Sequence, residues 1–240
     1  MIDLHFTRDI TKSDPIIEWE REGIRSLSTD YARKVAEEIQ KRCGITGTFH
    51  IGGTLPIGKG MGASTAIVIA MCRAVLGENS EKIARAIEDN VNPGHSGLDF
   101  AVIWNKVPLV FRKQENPIPT TIDLSFLRSA ELIDSGAPGE TTPELVSWVR
   151  TRYESGEPGT IRAIETIGNC TERILSGEPL KNVLRDHHRA QIALGVVPQN
   201  AQEIIARIEK DGGAAKIIGA GGRTGGGGMV LALPAEGAMP

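Results

Sequence analysis

Between residues 55 and 72 the chain reads LPIGKGMGASTAIVIAMC, with Gly58, Gly60 and Gly62 at alternate positions just ahead of a run of helix-forming apolar residues. Glycine supplies backbone freedom and room rather than packing. The first amides of a helix have no partner within it and lie at the positive end of its dipole. That combination suits close approach of an anion such as phosphate; the glycines alone suit a plain glycine-rich turn equally well. Carboxylates follow at Glu88, Asp89 and Asp99, and a second glycine-rich stretch, GAGGRTGGGG, fills residues 219 to 228.

Two nucleotide-binding patterns come near these stretches and fail. GTLPIGK, Gly53 to Lys59, fits G-x-x-x-x-G-K, but Gly60 follows where a Ser or Thr must reach the metal, and Pro56 removes an amide from the cradle. The dinucleotide pattern G-x-G-x-x-G breaks at Ala63 after Gly58 and Gly60, and at Thr224 after Gly219 and Gly221.

The frame P-x-G-x-G-x-G-x-S from Pro56 to Ser64 instead resembles the phosphate-binding motif of the GHMP kinases. Four further segments are similar to the mevalonate kinases of that superfamily, in the same order. AIEDNVNPGHSGLDFAV is similar to a stretch ending Pro-Ser-Gly-Val-Asp-x-Ala-Val, with Glu88 eleven residues ahead of Asp99, the spacing of the family's metal-binding glutamate and catalytic aspartate. LIDSGAPGETTPELVSWVR looks like the family's strand, turn and helix rich in Thr and small residues. DHHRAQIALGVVPQNAQEIIARI resembles Asn-His-x-x-Leu-x-x-Leu-Gly-Val, and GAAKIIGAGG resembles Ala-Lys-Leu-Thr-Gly-Ala-Gly-Gly. The matches run from about residue 50 to 230.

The resemblance implies an ATP- and Mg2+-dependent kinase acting on a small-molecule hydroxyl, mevalonate first among the candidates. Asp99 would be the carboxylate beside the attacking hydroxyl, and Ser64 and Glu88 would hold Mg2+ through oxygen. The phosphates would lie along the loop formed by Pro56, Gly58, Lys59, Gly60, Met61, Gly62, Ala63, Ser64 and Thr65. Gly219, Ala220, Gly221 and Gly222 would face the substrate. The implied fold is α+β and two-lobed, with a ribosomal-protein S5-type lobe over residues 1–118 and a ferredoxin-like lobe over 119–240.

Each residue has a plainer alternative. Asp99 ahead of a strand fits a turn carboxylate, Glu88 a solvated helix residue with Asp89 beside it as the other candidate, and Ser64 an N-cap. Lys59 fits an exposed loop cation with phosphate in reach. His95 stands where the family has proline, and His187 and His188 fit helix packing. The family's Pro-Gly-Lys strand and loop, with a lysine near the reacting hydroxyl, has no counterpart in these residues, since MIDLHFT resembles the Ala-Ile-Asp-Leu strand after it. That absence predicts a chain that binds Mg-ATP but turns over slowly, or a metabolite-binding relative. A different acceptor, phosphomevalonate or a sugar, stays open.

The elements that must position these residues are legible in outline. MIDLHFTRDI predicts a strand, and STDYARKVAEEIQKRCG a helix with Ser28 or Thr29 as N-cap and Gly44 as stop. ITGTFHIGGTL predicts a strand running into the glycine loop, and a buried helix leaves that loop from about Gly62 to Leu76. NSEKIARAIEDN predicts a helix capped by Asn79 or Ser80, and DFAVIWNKVPLVFRK two strands joined at NK. Pro-rich QENPIPTTI, residues 114–122, marks a domain boundary. SAELIDSG is the next strand, followed by helices from Pro143 to Tyr153, Gly159 to Leu175, Pro179 to Ala193 and within NAQEIIARIEKDGG. AAKIIGAGGRTGGGGMVLALP closes as strand, loop and strand.

A net charge of −3 and a pI near 6.0, with basic residues spread along the 240-residue chain, argue against nucleic-acid binding. Cys43, Cys72 and Cys170 have no metal-ligand spacing and suit a reducing, cytoplasmic setting. Ala66 to Cys72, the longest apolar run, falls far short of the roughly 20 residues of a membrane span. The expected partner is a small molecule, with neither nucleic acid nor membrane, and a homodimer is left open.

Overall fold

A computed structural model describes residues 2–20, 27–54 and 57–235, except for the side chains of Leu27 and Ser28. It divides into two compact units, one of residues 1–57 and 62–120, the other of 58–61 and 121–240.

In the first unit, β1 (Ile2–Arg8), β2 (Ile16–Trp19), α1 (Leu27–Cys43) and β3 (Gly47–Gly53) precede the glycine loop. The strand order is β1-β3-β2, with β1 antiparallel and β2 parallel to β3. A parallel pair needs a crossover, and α1 supplies it. Ala32, Val35, Ala36 and Ile39 recur at helical spacing along α1 and are buried, and Gly44, at φ +67°, ends the helix. The expected cap at Ser28 or Thr29 is displaced, because α1 already begins at Leu27; the residues ahead of it lie outside the described part.

After the loop come α2 (Ala63–Leu76), α3 (Glu81–Val91) and α4 (Leu98–Asn105). α2 is apolar nearly all round and is rich in β-branched residues that resist helix in isolation. It forms because its sides meet β1, α1, α3 and α4, so packing outweighs propensity. Ile67, Val68, Ile69, Met71 and Cys72 share one core with Phe49, Ile51, Ile87 and Phe100.

Residues 98–105 correct the sequence expectation. Where two strands were predicted from DFAVIWNKVPLVFRK, LDFAVIWN is a helix, and only β4 (Leu109–Val110), paired with β5 (Ile118–Pro119), is extended. An unbroken apolar run has no period to distinguish a buried strand from a buried helix. Here Gly97, left-handed at φ +87°, opens the helix, and Phe100 stacks on Trp104 one turn on, with ring centroids 5.7 Å apart.

The second unit carries β6 (Glu131–Asp134), α5 (Thr142–Glu154), α6 (Pro158–Leu175), α7 (Leu180–Leu194), α8 (Gln199–Lys210), β7 (Ala214–Ile217) and β8 (Met229–Leu233). Its sheet is antiparallel in the order β6-β8-β7. Ala201 and Ile205 of α8 pack on Ala215, Ile217, Val230 and Ala232 of that sheet. The mixed, segregated arrangement is α+β. Among the described residues no helix is long and apolar enough to cross a membrane.

The run RTGGGG is explained by close backbone contact. Antiparallel bonding between β6 and β8 continues past both strands: Ser135 N–H donates to the Gly228 carbonyl at 2.9 Å, Gly226 N–H to Ala137 at 2.7 Å and Gly139 N–H to Thr224 at 2.9 Å. A Cβ on Gly226 would collide with the Gly136 backbone. The Glu140 carboxylate closes the zipper, accepting from Arg223 N–H at 2.9 Å and Thr224 Oγ1 at 2.9 Å.

Candidate active site

The glycine loop is left-handed at every second residue: φ is +73° at Gly58, +74° at Gly60 and +65° at Gly62, with Lys59 and Met61 at negative φ between them. This alternation is that of backbone nests that hold anions. Pro56 lies outside the described residues. Gly58, Lys59, Gly60 and Met61 belong to the second unit, where Gly60 packs on the other glycine stretch: a Cβ on Gly219 would meet the Gly60 Cα at 2.9 Å. Two glycine segments remote in sequence thus meet backbone to backbone, which only glycine permits. Ala220 packs beneath the cluster of Leu145, Leu194 and Val196, and Gly222 N–H donates to the Val196 carbonyl at 3.0 Å.

Lys59 is not the exposed cation expected. Its Nζ lies 2.9 Å from Asp134 Oδ2 and 3.0 Å from Oδ1, and its side chain is 24% exposed. The pair holds the Asp134 carboxyl below the usual aspartate range, helped by the Gly136 N–H at 2.8 Å. Nothing in the sequence singled out Asp134, because a partner 75 residues away leaves no periodic signature.

In the first unit Gly62 caps α2 with its backbone alone, so Ala63, Ser64 and Thr65 form the first helical turn and Ser64 is not the N-cap. The left-handed cap explains this: glycine reaches φ +65° without strain, and a capping serine needs extended backbone. Asp99 sits in the first turn of α4 rather than before a strand, and its carboxyl lies against Gly62, where a Cβ would meet Asp99 Cγ at 3.3 Å. The carboxyl keeps access to solvent on one side, yet surrounding protein raises its pKa; desolvation is the larger cause, and the nearby His95 pulls the other way. His95 itself pairs with Asp89, Nε2 to Oδ1 2.8 Å, and the Asp89 side chain is 64% exposed.

Glu88 is fully buried, against the solvated alternative, and the outward carboxylate is its neighbour Asp89. Glu88 Oε1 accepts from Thr65 Oγ1 at 2.7 Å and Asn92 Nδ2 at 3.1 Å, and Oε2 is buried with no hydrogen-bond partner among the described residues. The Tyr31 hydroxyl, flanked by Glu88 and Ser64, is buried with no well-formed hydrogen bond among the described residues, and its pKa is pushed well up, by burial first and then by Glu88 beside it. Ser64, Glu88 and Tyr31 therefore gather oxygens with spare lone pairs. The tyrosine and the Thr65 bond escaped sequence reasoning, because α1 reaches α2 and α3 only through tertiary packing.

On α7, His188 is buried and His187 half-buried, their Nδ1 atoms have no hydrogen-bond partner among the described residues, and desolvation lowers both to about 4. They belong to the packing of the second unit.

Residues 30–105, from α1 to the last residue of α4, match the model of the GHMP kinases N terminal domain, and that span includes Ser64, Thr65, Glu88 and Asp99. That stretch is what ties the chain to the GHMP kinases, as a match over residues 30–105. The chain is 25% identical over 258 residues to the mevalonate kinase of Pyrococcus furiosus, covering 96% of this chain and 70% of that protein. It is 28% identical over 251 residues to that of Archaeoglobus fulgidus, covering 97% and 82%. The crystal structure of the Methanococcus jannaschii mevalonate kinase shares its fold, with a TM-score of 0.73 at 17% identity over 98% of this chain and 80% of that one.

Proposed function

We propose that this kinase transfers the terminal phosphoryl group of ATP to the hydroxyl of mevalonate, giving 5-phosphomevalonate for isoprenoid precursors in the cytoplasm. The observation that carries this reading is the Asp99 carboxyl against Gly62, at the exit of a loop built for anions. Phosphoryl transfer asks a protein chiefly for positioning and charge stabilisation. In this reading the amides of Gly58 to Thr65 bind phosphate oxygens, and Lys59 adds a cation. Asp99, its pKa raised, accepts the proton that leaves the acceptor hydroxyl as its oxygen bonds to phosphorus and ADP departs. Gly219, which packs on Gly60, and the following Ala220, Gly221 and Gly222 would border the acceptor.

The residues present fit Mg2+. The buried Glu88 Oε2 lacks a hydrogen-bond partner among the described residues, the neighbouring groups are hydroxyl oxygens, and a single carboxylate suits an ion whose other ligands are phosphates and water. Ser64 and Glu88 would hold it, and its charge would offset that developing on the phosphates.

An ADP-release assay with mevalonate, phosphomevalonate and a sugar in parallel tests the reading. Release that depends on mevalonate and falls in Asp99→Asn is expected. ATP bound with no transfer to any acceptor would make the chain a binding protein and overturn it.

A further inference from the structure

The Lys59–Asp134 pair is more elaborate than a surface ion pair. Both carboxylate oxygens engage the ammonium, at 2.9 and 3.0 Å, and Oδ1 also accepts from Gly136 N–H at 2.8 Å, which fixes the carboxylate at the end of β6. The lysine backbone is fixed as well: its carbonyl accepts from Met229 N–H, first in β8, at 3.4 Å, and the next residue, Gly60, rests on Gly219. All of these groups lie within the second unit. An ammonium carries three N–H donors, so one held by two oxygens still has a donor to offer. A lysine already held in place also loses less side-chain freedom when an anion arrives than one that swings on a free stem.

We propose that Asp134 is a positioning residue for nucleotide binding: it fixes the ammonium of Lys59, a residue of the glycine loop, so that the phosphates of ATP meet a pre-ordered cation. This rests on the ATP-binding reading above. Asp134 touches no substrate and acts through Lys59. The opposite arrangement, in which Asp134 competes with phosphate for the lysine, predicts the reverse effect.

The test is a double-mutant cycle on the full chain with Asp134→Asn, Lys59→Ala and the two combined, measuring the Kd for Mg-ATP and the KM and kcat with mevalonate. Asp134→Asn is expected to weaken ATP binding and raise its KM about five- to tenfold while kcat changes less than about twofold, and to have no further effect once Lys59 is alanine. Asp134→Ser, which keeps an acceptor for the Gly136 amide, serves as a second variant should the asparagine melt well below the parent. Tighter ATP binding in Asp134→Asn, or an unchanged loss in the Lys59→Ala background, overturns the proposal. A parent chain that binds no ATP overturns the proposed function and this inference with it, whereas a parent that binds ATP with Asp134→Asn equal to it sinks this inference alone.

Discussion

The Thr65 hydroxyl donates to Glu88 Oε1 at 2.7 Å, so the first turn of α2 and the last turn of α3 share one fully buried carboxylate. A buried polar group is tolerated when it is hydrogen-bonded, and among the described residues only one of the two Glu88 oxygens is satisfied.

Glu88→Ala should therefore destabilise the fold by about 1–3 kcal/mol, because Thr65 and Asn92 lose a buried acceptor. Glu88→Gln keeps an acceptor and should melt closer to the parent while needing about tenfold more Mg2+. Ser64→Ala should raise the Mg2+ requirement too, with stability within about 0.5 kcal/mol of the parent, since Ser64 caps nothing. Magnesium titration beside thermal melting reads both; an Mg2+ requirement unmoved by either change removes these two residues from the metal site.

Asp99→Asn should lower kcat by roughly 10²-fold or more and leave ATP binding nearly intact, the scale of losing a positioned base. Because desolvation raises the Asp99 pKa, the acid limb of the parent's rate profile should lie above the ordinary aspartate value of 3.8 and vanish in the asparagine variant. Turnover within threefold of the parent, on the order of a 0.65 kcal/mol change, would reject the assignment.

The glycines should separate into two grades. Gly58 is left-handed with open space where a Cβ would go, so Gly58→Ala costs backbone strain alone, about 1–2 kcal/mol. Gly221 is left-handed at φ +80°, and its Cβ would collide with the Val196 carbonyl, so Gly221→Ala should cost clearly more, with the loop displaced. Denaturant melts of the two variants give the comparison; equal losses would contradict the packing of residue 221.

Stability should fall as pH drops from about 6.5 towards 4. His187 and His188 stay neutral in the folded chain, lowered to about 4 by burial, with Lys216 near His187 and Arg189 near His188 adding to the effect. The unfolded chain takes up protons near its ordinary value of 6.5, so it binds more protons across that window and is favoured by acid. Melting temperatures measured across the window should show a slope that flattens in a His187→Gln, His188→Gln double variant; an identical slope in that variant would place the acid sensitivity elsewhere.

The sequence by itself determined what is local. Alternating apolar residues marked β1 and β3, Gly44 marked the end of α1, and three alternate glycines ahead of an apolar run marked the loop and α2, because each depends on backbone preference or on a period within one segment. Segments 98–105 escaped it, since the apolar run of LDFAVIWN has no period and its helix is set by packing on α2. Tertiary structure alone decided that Glu88 and not Asp89 turns inward, that Gly62 rather than Ser64 caps α2, and that Lys59 reaches Asp134. It also brought Gly60 onto Gly219, a contact between backbones that no side-chain pattern announces. Such pairings depend on which faces meet once the core is buried, and burial is a property of the whole chain rather than of any stretch of it.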